Sequence, residues 1–361
     1  MSPKPSLVGL STDELIAVAE GMGQGAFRGR QLAKWIYGKA EADLDAMRDL
    51  PSAFRQQLAE TYVVSPLTVS THRTSVDQVD KLLVHNGDEQ VYECVLLPYQ
   101  DRVSCCISSQ VGCPMGCTFC ATGLGGFDRN LTAGEIVGQY LLLQAISPRR
   151  ISHVVFMGMG EPLLNFDAVV KTLNLLHHEV GLSYRHLTVS TVGLVPQIRQ
   201  LATLNLPIHL ALSLHSPIDE IRDQLMPVNH RWPVREVVGA MRDYQRATGR
   251  KVTFEYLLID RLNDTEDQAE RLATLVKGLP CVVNLIPFNY VDTRHGYRRP
   301  ERERVQAFRR VLERRGVNTT ERVERGHDIA AACGQLAGQH TGRFARREPS
   351  TPLRVVPSAS S

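Results

Sequence analysis

Apolar residues recur at helical spacing near the amino terminus, through Leu15, Val18 and Ala19 and again through Phe27, Leu32, Trp35 and Ile36. That stripe predicts amphipathic helices over residues 12–62, opened by Ser11-Thr-Asp-Glu14 as an N-cap with acidic residues in the first turn. Residues 1–65 are thus expected to form a small helical domain. Between 66 and 100 the pattern turns to alternation, as in Gln90-Val-Tyr-Glu-Cys-Val-Leu-Leu97, which predicts a β extension. From Val103 onward short apolar runs alternate with amphipathic helical segments. Strands are predicted near 103–108, 153–157, 186–190, 207–213, 252–258 and 282–287. Six βα repeats without a clear seventh imply an α/β fold of parallel strands joined by right-handed crossovers. A partial (β/α)6 barrel over 101–340 fits them better than a full eight-fold one. Ligands of such a fold sit at the carboxyl ends of the strands. After Gly338 the chain turns to Arg, Pro, Ser and Thr, and residues 341–361 are expected to be a disordered tail.

Composition narrows the class without deciding it. A length of 361 residues and 43% apolar content suit a soluble globular protein with a substantial core. No uninterrupted apolar run nears the roughly 18 residues of a membrane span. The opening Met-Ser-Pro-Lys-Pro lacks the features of a secretory signal. Eight cysteines in such a chain point to a reducing, cytoplasmic setting and to metal or redox use rather than a disulfide framework. The net charge of +3 is too small to identify a partner, yet nine arginines face three glutamates between Arg294 and Arg315. This stretch reads equally as a solvated helix face or as a surface for RNA phosphates.

The chemistry concentrates in Cys113-Pro-Met-Gly-Cys117-Thr-Phe-Cys120, three thiols in eight residues. A 4Fe-4S cluster is normally held by four thiolates, so three leave one iron open to a small molecule. Structural zinc would need a fourth ligand, which Cys105, Cys106 or a nearby His can supply. Zinc sites, however, usually come as paired Cys-x2-Cys knuckles. One crossover later, Phe156-Met-Gly-Met-Gly160-Glu161-Pro-Leu163 follows an apolar strand, with glycines that admit close backbone approach and a carboxylate suited to an ammonium. Further polar groups fall at strand ends: Ser190, Ser213-Leu214-His215 and Asn289. Singly each reads as a turn or cap, and together they ring one mouth of a barrel.

The Cys-x3-Cys-x2-Cys spacing resembles that of radical S-adenosylmethionine (SAM) enzymes. Cys106-Ile-Ser-Ser-Gln-Val-Gly-Cys113 and Arg325-Gly-His-Asp-Ile-Ala-Ala-Ala-Cys333-Gly-Gln-Leu-Ala-Gly338 resemble segments of one subgroup, the RNA adenine methyltransferases RlmN and Cfr. The likeness runs over about residues 10–338. It implies a radical SAM barrel with a 4Fe-4S cluster on Cys113, Cys117 and Cys120. Two SAM are used per turnover, held by Gly160, Glu161, Ser190, Ser213, Leu214, His215 and Asn289. It further implies that Cys333 is the S-methylcysteine intermediate. Cys106 would release the RNA adduct through a transient disulfide with Cys333, and Glu93 would accept a proton. Neighbouring Cys94 and Cys105 compete for the resolving role, but adjacent strand residues face opposite ways. The substrates implied are an adenosine at the peptidyl-transferase centre of 23S rRNA and the adenosine 3′ of the anticodon in tRNAs, methylated at C2. A flavodoxin- or ferredoxin-type electron donor and a monomeric state are expected, with no membrane partner. C8 methylation of the Cfr type and a non-catalytic zinc-containing RNA-binding module are the competing readings.

Overall fold

The computed structural model describes residues 4–87, 90–291 and 295–336. The expected tail at 341–361 and Arg294 lie outside the described residues. The helix Thr12–Gly21 opens as the pattern predicts. Ser11 Oγ accepts from Glu14 N–H and the Glu14 carboxylate accepts from Ser11 N–H at 2.7 Å, closing a capping box. Helices Ala26–Ala33 and Ser52–Thr61 follow, the first running directly into a π-helical turn at Lys34–Gly38. Their apolar stripe buries Leu15, Leu32, Ile36, Phe54 and Leu58. The unit is seated on the rest of the chain by Thr12 N–H donating to Glu179 at 2.9 Å and by Lys171 pairing with Glu14 at 2.9 Å.

Strands β1 (Thr68–Thr74), β2 (Asp80–His85), β3 (Val91–Pro98) and β4 (Val103–Cys106) pair antiparallel in turn. A hairpin of β5 (Gln110–Gly112) and β6 (Phe127–Asn130) stands apart. The main sheet resumes with β7 (His153–Phe156), β8 (Leu187–Thr191), β9 (His209–Ser213), β10 (Val252–Leu258), β11 (Cys281–Pro287) and β12 (Thr319–Glu321), all parallel to β4. One ten-stranded sheet runs in the order β1-β2-β3-β4-β7-β8-β9-β10-β11-β12. The β extension is therefore a continuation of the barrel sheet rather than a separate layer. Each of the six anticipated parallel strands is present. A seventh, β12, joins them at the edge; its Thr-Thr-Glu has no apolar run, so periodicity could not reveal it.

The crossover helices turn their apolar sides to the sheet. Val234–Thr248 buries Val237, Val238, Met241 and Tyr244 and stops at Gly249, whose φ of 66° is the left-handed conformation that ends helices cheaply. Ala133–Ile146 begins with a second capping box, Thr132 and Glu135, and Glu135 is also paired with Arg129 at 2.8 Å. Among the described residues no helix is long and apolar enough to cross a membrane.

Candidate active site

The strand ends meet in one cavity. After β7 the chain turns through Met157-Gly158-Met159-Gly160-Glu161, and a Cβ on Gly158 would lie 2.6 Å from Ser108 Oγ. At Gly160, φ is 102° and a Cβ would lie 2.6 Å from that of Gln110. Only glycine lets this turn rest on Ser108–Gln110 and leave its other side open. Glu161 follows, 2% exposed, with its carboxylate accepting from Leu163 N–H at 3.0 Å and Val192 N–H at 2.8 Å. Burial nevertheless pushes its carboxyl up to about 7. A buried carboxylate in that condition is matched by a bound cation such as an ammonium.

Ser190, Ser213, His215 and Asn289 line the same cavity. His215 sits at φ 60°, its carbonyl accepting from Asn263 Nδ2 at 2.7 Å. Leu257 N–H donates to His215 Nδ1 at 3.0 Å, so the ring proton is on Nε2 and available to a ligand. Burial, reinforced by the Arg222 charge, pushes this imidazole down to about 3, so it stays neutral. Leu214 differs from its neighbours. Its side chain is fully buried away from the cavity lining, and its N–H is spent on Glu255 O at 3.0 Å.

The three clustered thiols lie in the loop between β5 and β6 and the short helix Ala121–Gly125. Cys113 N–H donates to Gly126 O at 2.7 Å, Thr118 N–H to Leu225 O at 3.0 Å and Ala121 N–H to Gly334 O at 2.8 Å. Burial raises all three thiols, Cys113 to about 12; Cys120 adds to the rise of Cys113 and Cys117, and Cys333 adds to that of Cys120. Backbone N–H groups of Met115, Thr122 and Gly123 oppose that rise by pointing at the sulfurs. Three mutually repelling thiolates with N–H donors suit a cationic iron centre, which removes the proton from each ligand. Among the described residues no three Cys, His, Asp or Glu side chains converge on one metal position. The Cys113, Cys117 and Cys120 set supplies three thiolates, the number that suits a 4Fe-4S cluster with one open iron.

A second cavity adjoins the first, lined by Tyr99, Cys106, Met157, Arg322 and Cys333. Met157, Asn289, Arg322 and Cys333 belong to both cavities. Asn289 Nδ2 donates to Cys333 O at 3.3 Å. Cys106 pairs across the sheet with Val95 and faces the cavity, whereas Cys94 and Cys105 are wholly buried and absent from its lining. The Cys333 segment is strapped on both sides. Toward the β1–β2 turn, Arg325 pairs with Asp77 at 3.1 Å, Val76 N–H donates to Asp328 at 3.0 Å and Lys81 Nζ donates to Ala330 O at 3.1 Å. Toward the cluster loop, Gly334 O accepts from Ala121 and Leu336 O from Thr122 Oγ1.

Glu93 is not the exposed strand glutamate its pattern suggests. It is 7% exposed, on the same face of β3 as Val95, and paired with Lys81 at 3.0 Å. Two contributors escaped the sequence reading. Lys81 had a weak signal, a lone cation opening an apolar run in β2, while Arg322, whose Nη1 donates to Cys333 Sγ at 2.8 Å, had none.

A parallel sheet with three thiols and a glycine turn at its carboxyl-end mouth defines a radical SAM enzyme, and residues 107–273 match the radical SAM superfamily profile. Residues 6–64 match the ribosomal RNA large subunit methyltransferase N-terminal domain. A probable dual-specificity RNA methyltransferase RlmN of Symbiobacterium thermophilum is 48% identical over 349 residues, covering 93% of each chain. The dual-specificity RNA methyltransferase RlmN of an Anaeromyxobacter species is 43% identical over 99% of this chain and 97% of its own. A radical SAM methyltransferase crystal structure from Sphaerobacter thermophilus has a TM-score of 0.90 at 43% identity, covering 93% of this chain and 100% of that one. The chain belongs to the RlmN family of radical SAM RNA methyltransferases. Membership implies a 4Fe-4S cluster and SAM.

Proposed function

We propose that the protein methylates C2 of adenosine, in 23S rRNA at the peptidyl-transferase centre and in tRNA 3′ of the anticodon, by way of a methyl group carried on Cys333. The observation that carries this reading is the position of Cys333 on the wall between two cavities, one bearing Glu161, His215 and Cys120, the other Cys106. When bound, the cluster and SAM supply an electrophilic methyl group and, in a separate use, a hydrogen-abstracting radical. Cys113, Cys117 and Cys120 hold the cluster. Glu161 would meet the SAM ammonium, and Gly160, Ser190, Ser213, His215 and Asn289 would hold the rest of its polar groups, while Leu214, its N–H and carbonyl both spent within the protein, would support its neighbours. Cys333 accepts the methyl group on sulfur, and adenine C2, too weak a nucleophile to take it directly, is reached through the carbon attached there. Glu93, held by Lys81, accepts the proton lost from the adduct carbon. Once the adduct had also given up its odd electron, the Cys106 thiolate would attack the Cys333 sulfur, the S–C bond would break with its electron pair passing to the product carbon, which takes a proton, and a thiol reductant would reopen the disulfide left behind. This cycle consumes two SAM and needs a one-electron donor of the flavodoxin or ferredoxin type. Thiols that must stay reduced between turnovers suit a monomer working in the cytoplasm.

Nucleoside mass spectrometry on unmodified 23S rRNA fragment and tRNA, incubated anaerobically with reconstituted protein, SAM and reductant, is expected to show 2-methyladenosine in both RNAs. Appearance of 8-methyladenosine instead would replace this reading with the Cfr type, and neither product from cluster-loaded protein would overturn it.

RNA binding is assigned to the amino-terminal helices and to part of the arginine stretch. Arg299, Arg304, Arg309, Arg314 and Arg315 are within 4 Å of carboxylates, which spends much of the local charge. Arg298, Arg302 and Arg310 are exposed and have the charge to spare. Reversing these three to Glu is expected to weaken binding and to lower the slope of log affinity against log salt by roughly 2–3, at about 0.7–0.9 per phosphate contact. Filter binding across a salt series checks this; an unchanged slope removes the stretch from the interface.

A further inference from the structure

We infer that Arg322 is a positioning residue that serves both sulfurs in turn, pairing with Cys333 while that sulfur is the nucleophile and with Cys106 once Cys333 has been alkylated. The inference rests on the methyl-carrier reading of Cys333 given above. Its geometric basis is direct. Arg322 follows β12, its backbone N–H donates to Leu285 O at 2.9 Å, and its side chain reaches the wall shared by the two cavities. Nη1 donates to Cys333 Sγ at 2.8 Å and Nη2 to Met157 Sδ at 3.5 Å. A neutral thiol gains little from such a donor, whereas an anionic sulfur gains a charge-assisted hydrogen bond.

The groups around the guanidinium are Cys333, Glu255, Cys106 and Tyr99, with the Cys333 sulfur the strongest in holding it charged. Glu255 is 6% exposed, and its Oε2 accepts from Asn284 Nδ2 at 2.7 Å while Asn284 Oδ1 accepts from Thr320 Oγ1 at 2.8 Å. These bonds tie the Glu255 carboxylate to Asn284 and, through it, to Thr320. Burial pushes the Cys106 thiol up to about 12; the Cys333 sulfur adds to that rise and Arg322 opposes it. The order of events follows from charge. Cys333 loses its proton to solvent and its sulfur lone pair displaces a leaving group from carbon, which converts an anion into a neutral thioether. Repulsion on Cys106 then vanishes and the Arg322 charge is left to the one remaining thiol. Cys106 is thereby held back until Cys333 carries its cargo, and an early, empty disulfide is disfavoured.

The test is thiol labelling of full-length, cluster-loaded protein under anaerobic conditions, read by peptide mass spectrometry. With iodoacetamide at pH 7, R322Q is expected to slow Cys333 labelling about tenfold or more, the effect of losing the charge-assisted hydrogen bond from Nη1 to the reacting sulfur. R322K, which keeps the charge, is expected to recover most of the rate. Partly exposed Cys281, at the start of β11, is the internal control and should not change. With methyl methanethiosulfonate, Cys106 is expected to label several-fold faster in C333A than in the unmodified chain, and C333A/R322Q should lose that gain, which separates charge from mere access. Equal Cys333 rates in wild type and R322Q, or a Cys106 gain that survives in the double variant, would overturn the inference. Should R322Q disturb Cys281, R322K decides: a Cys333 rate within about threefold of wild type supports the role of charge, and a loss as large as that of R322Q overturns it. Neither labelling needs RNA or added SAM, so failure here leaves the methylated-nucleoside result standing, and failure there leaves these rates interpretable.

Discussion

Replacing Cys106 by alanine is expected to stop the enzyme after a single round, with RNA covalently attached to Cys333. The adduct has no exit other than attack on its sulfur, and Cys106 is the thiol outside the clustered three that shares a cavity wall with Cys333. Product per enzyme should fall from many to below one, and a protein–RNA band should persist on a denaturing gel until it is digested to a nucleoside-bearing Cys333 peptide. Cys105→Ala provides the contrast. Cys105 is wholly buried and pairs with Leu96 and Val154, so its loss costs core packing of the order of 1 kcal/mol but leaves turnover intact. Multiple turnovers by Cys106→Ala, or an adduct in Cys105→Ala, would reverse the assignment.

Glu161→Gln is expected to abolish SAM binding while removing a pH dependence of stability. Burial raises the Glu161 carboxyl from an ordinary 4.5 to about 7. Between those values the folded chain keeps a proton that the unfolded chain has released, so stability falls as pH rises from about 4.5 to about 7 and is level above. At ~1.4 kcal/mol per pH unit the fall is about 3–4 kcal/mol. Melting curves of SAM-free protein between pH 5 and 8 should show that decline in wild type and lack it in E161Q. In the proposed function the same carboxylate, costly when alone, would gain an ammonium partner on binding SAM. Losing a buried charge pair of this kind weakens affinity by at least about 100-fold. Calorimetric titration with SAM checks the affinity; wild-type binding by E161Q would move the ammonium site elsewhere.

How much of this could be read beforehand depended on whether the signal was local. The N-cap at Ser11 and the six apolar strands are each contained in a few consecutive residues, and the chain folds there as its pattern demands. The resemblance to RlmN and Cfr drew Cys106 and Cys333 together across more than two hundred residues, which no periodicity could do. What escaped is tertiary in origin. Edge strand β12 has three polar residues and exists because β11 offers it a ladder. Arg322 looks like one more charge in an alternating stretch until β12 turns it onto the cavity wall. Glu93 reads as a solvated strand residue because the lysine that covers it sits on the neighbouring strand. The basic stretch shows the converse, since carboxylates that pair with it, Asp264, Glu266, Glu270 and Glu324, come from outside it.

The strap that ties the Cys333 segment to the cluster loop has an evolutionary consequence. Ala121 and Thr122 hold Gly334 and Leu336 through main-chain carbonyls, the second pair 214 residues apart. A change that shifts the short helix after Cys120 therefore displaces Cys333 as well, and selection meets the two segments as one heritable unit. A lineage that alters its cluster loop must re-tailor the chain around residue 335 in the same stroke, so swapping either segment alone between distant relatives should yield a protein that builds its iron centre yet presents its cysteine to the wrong place.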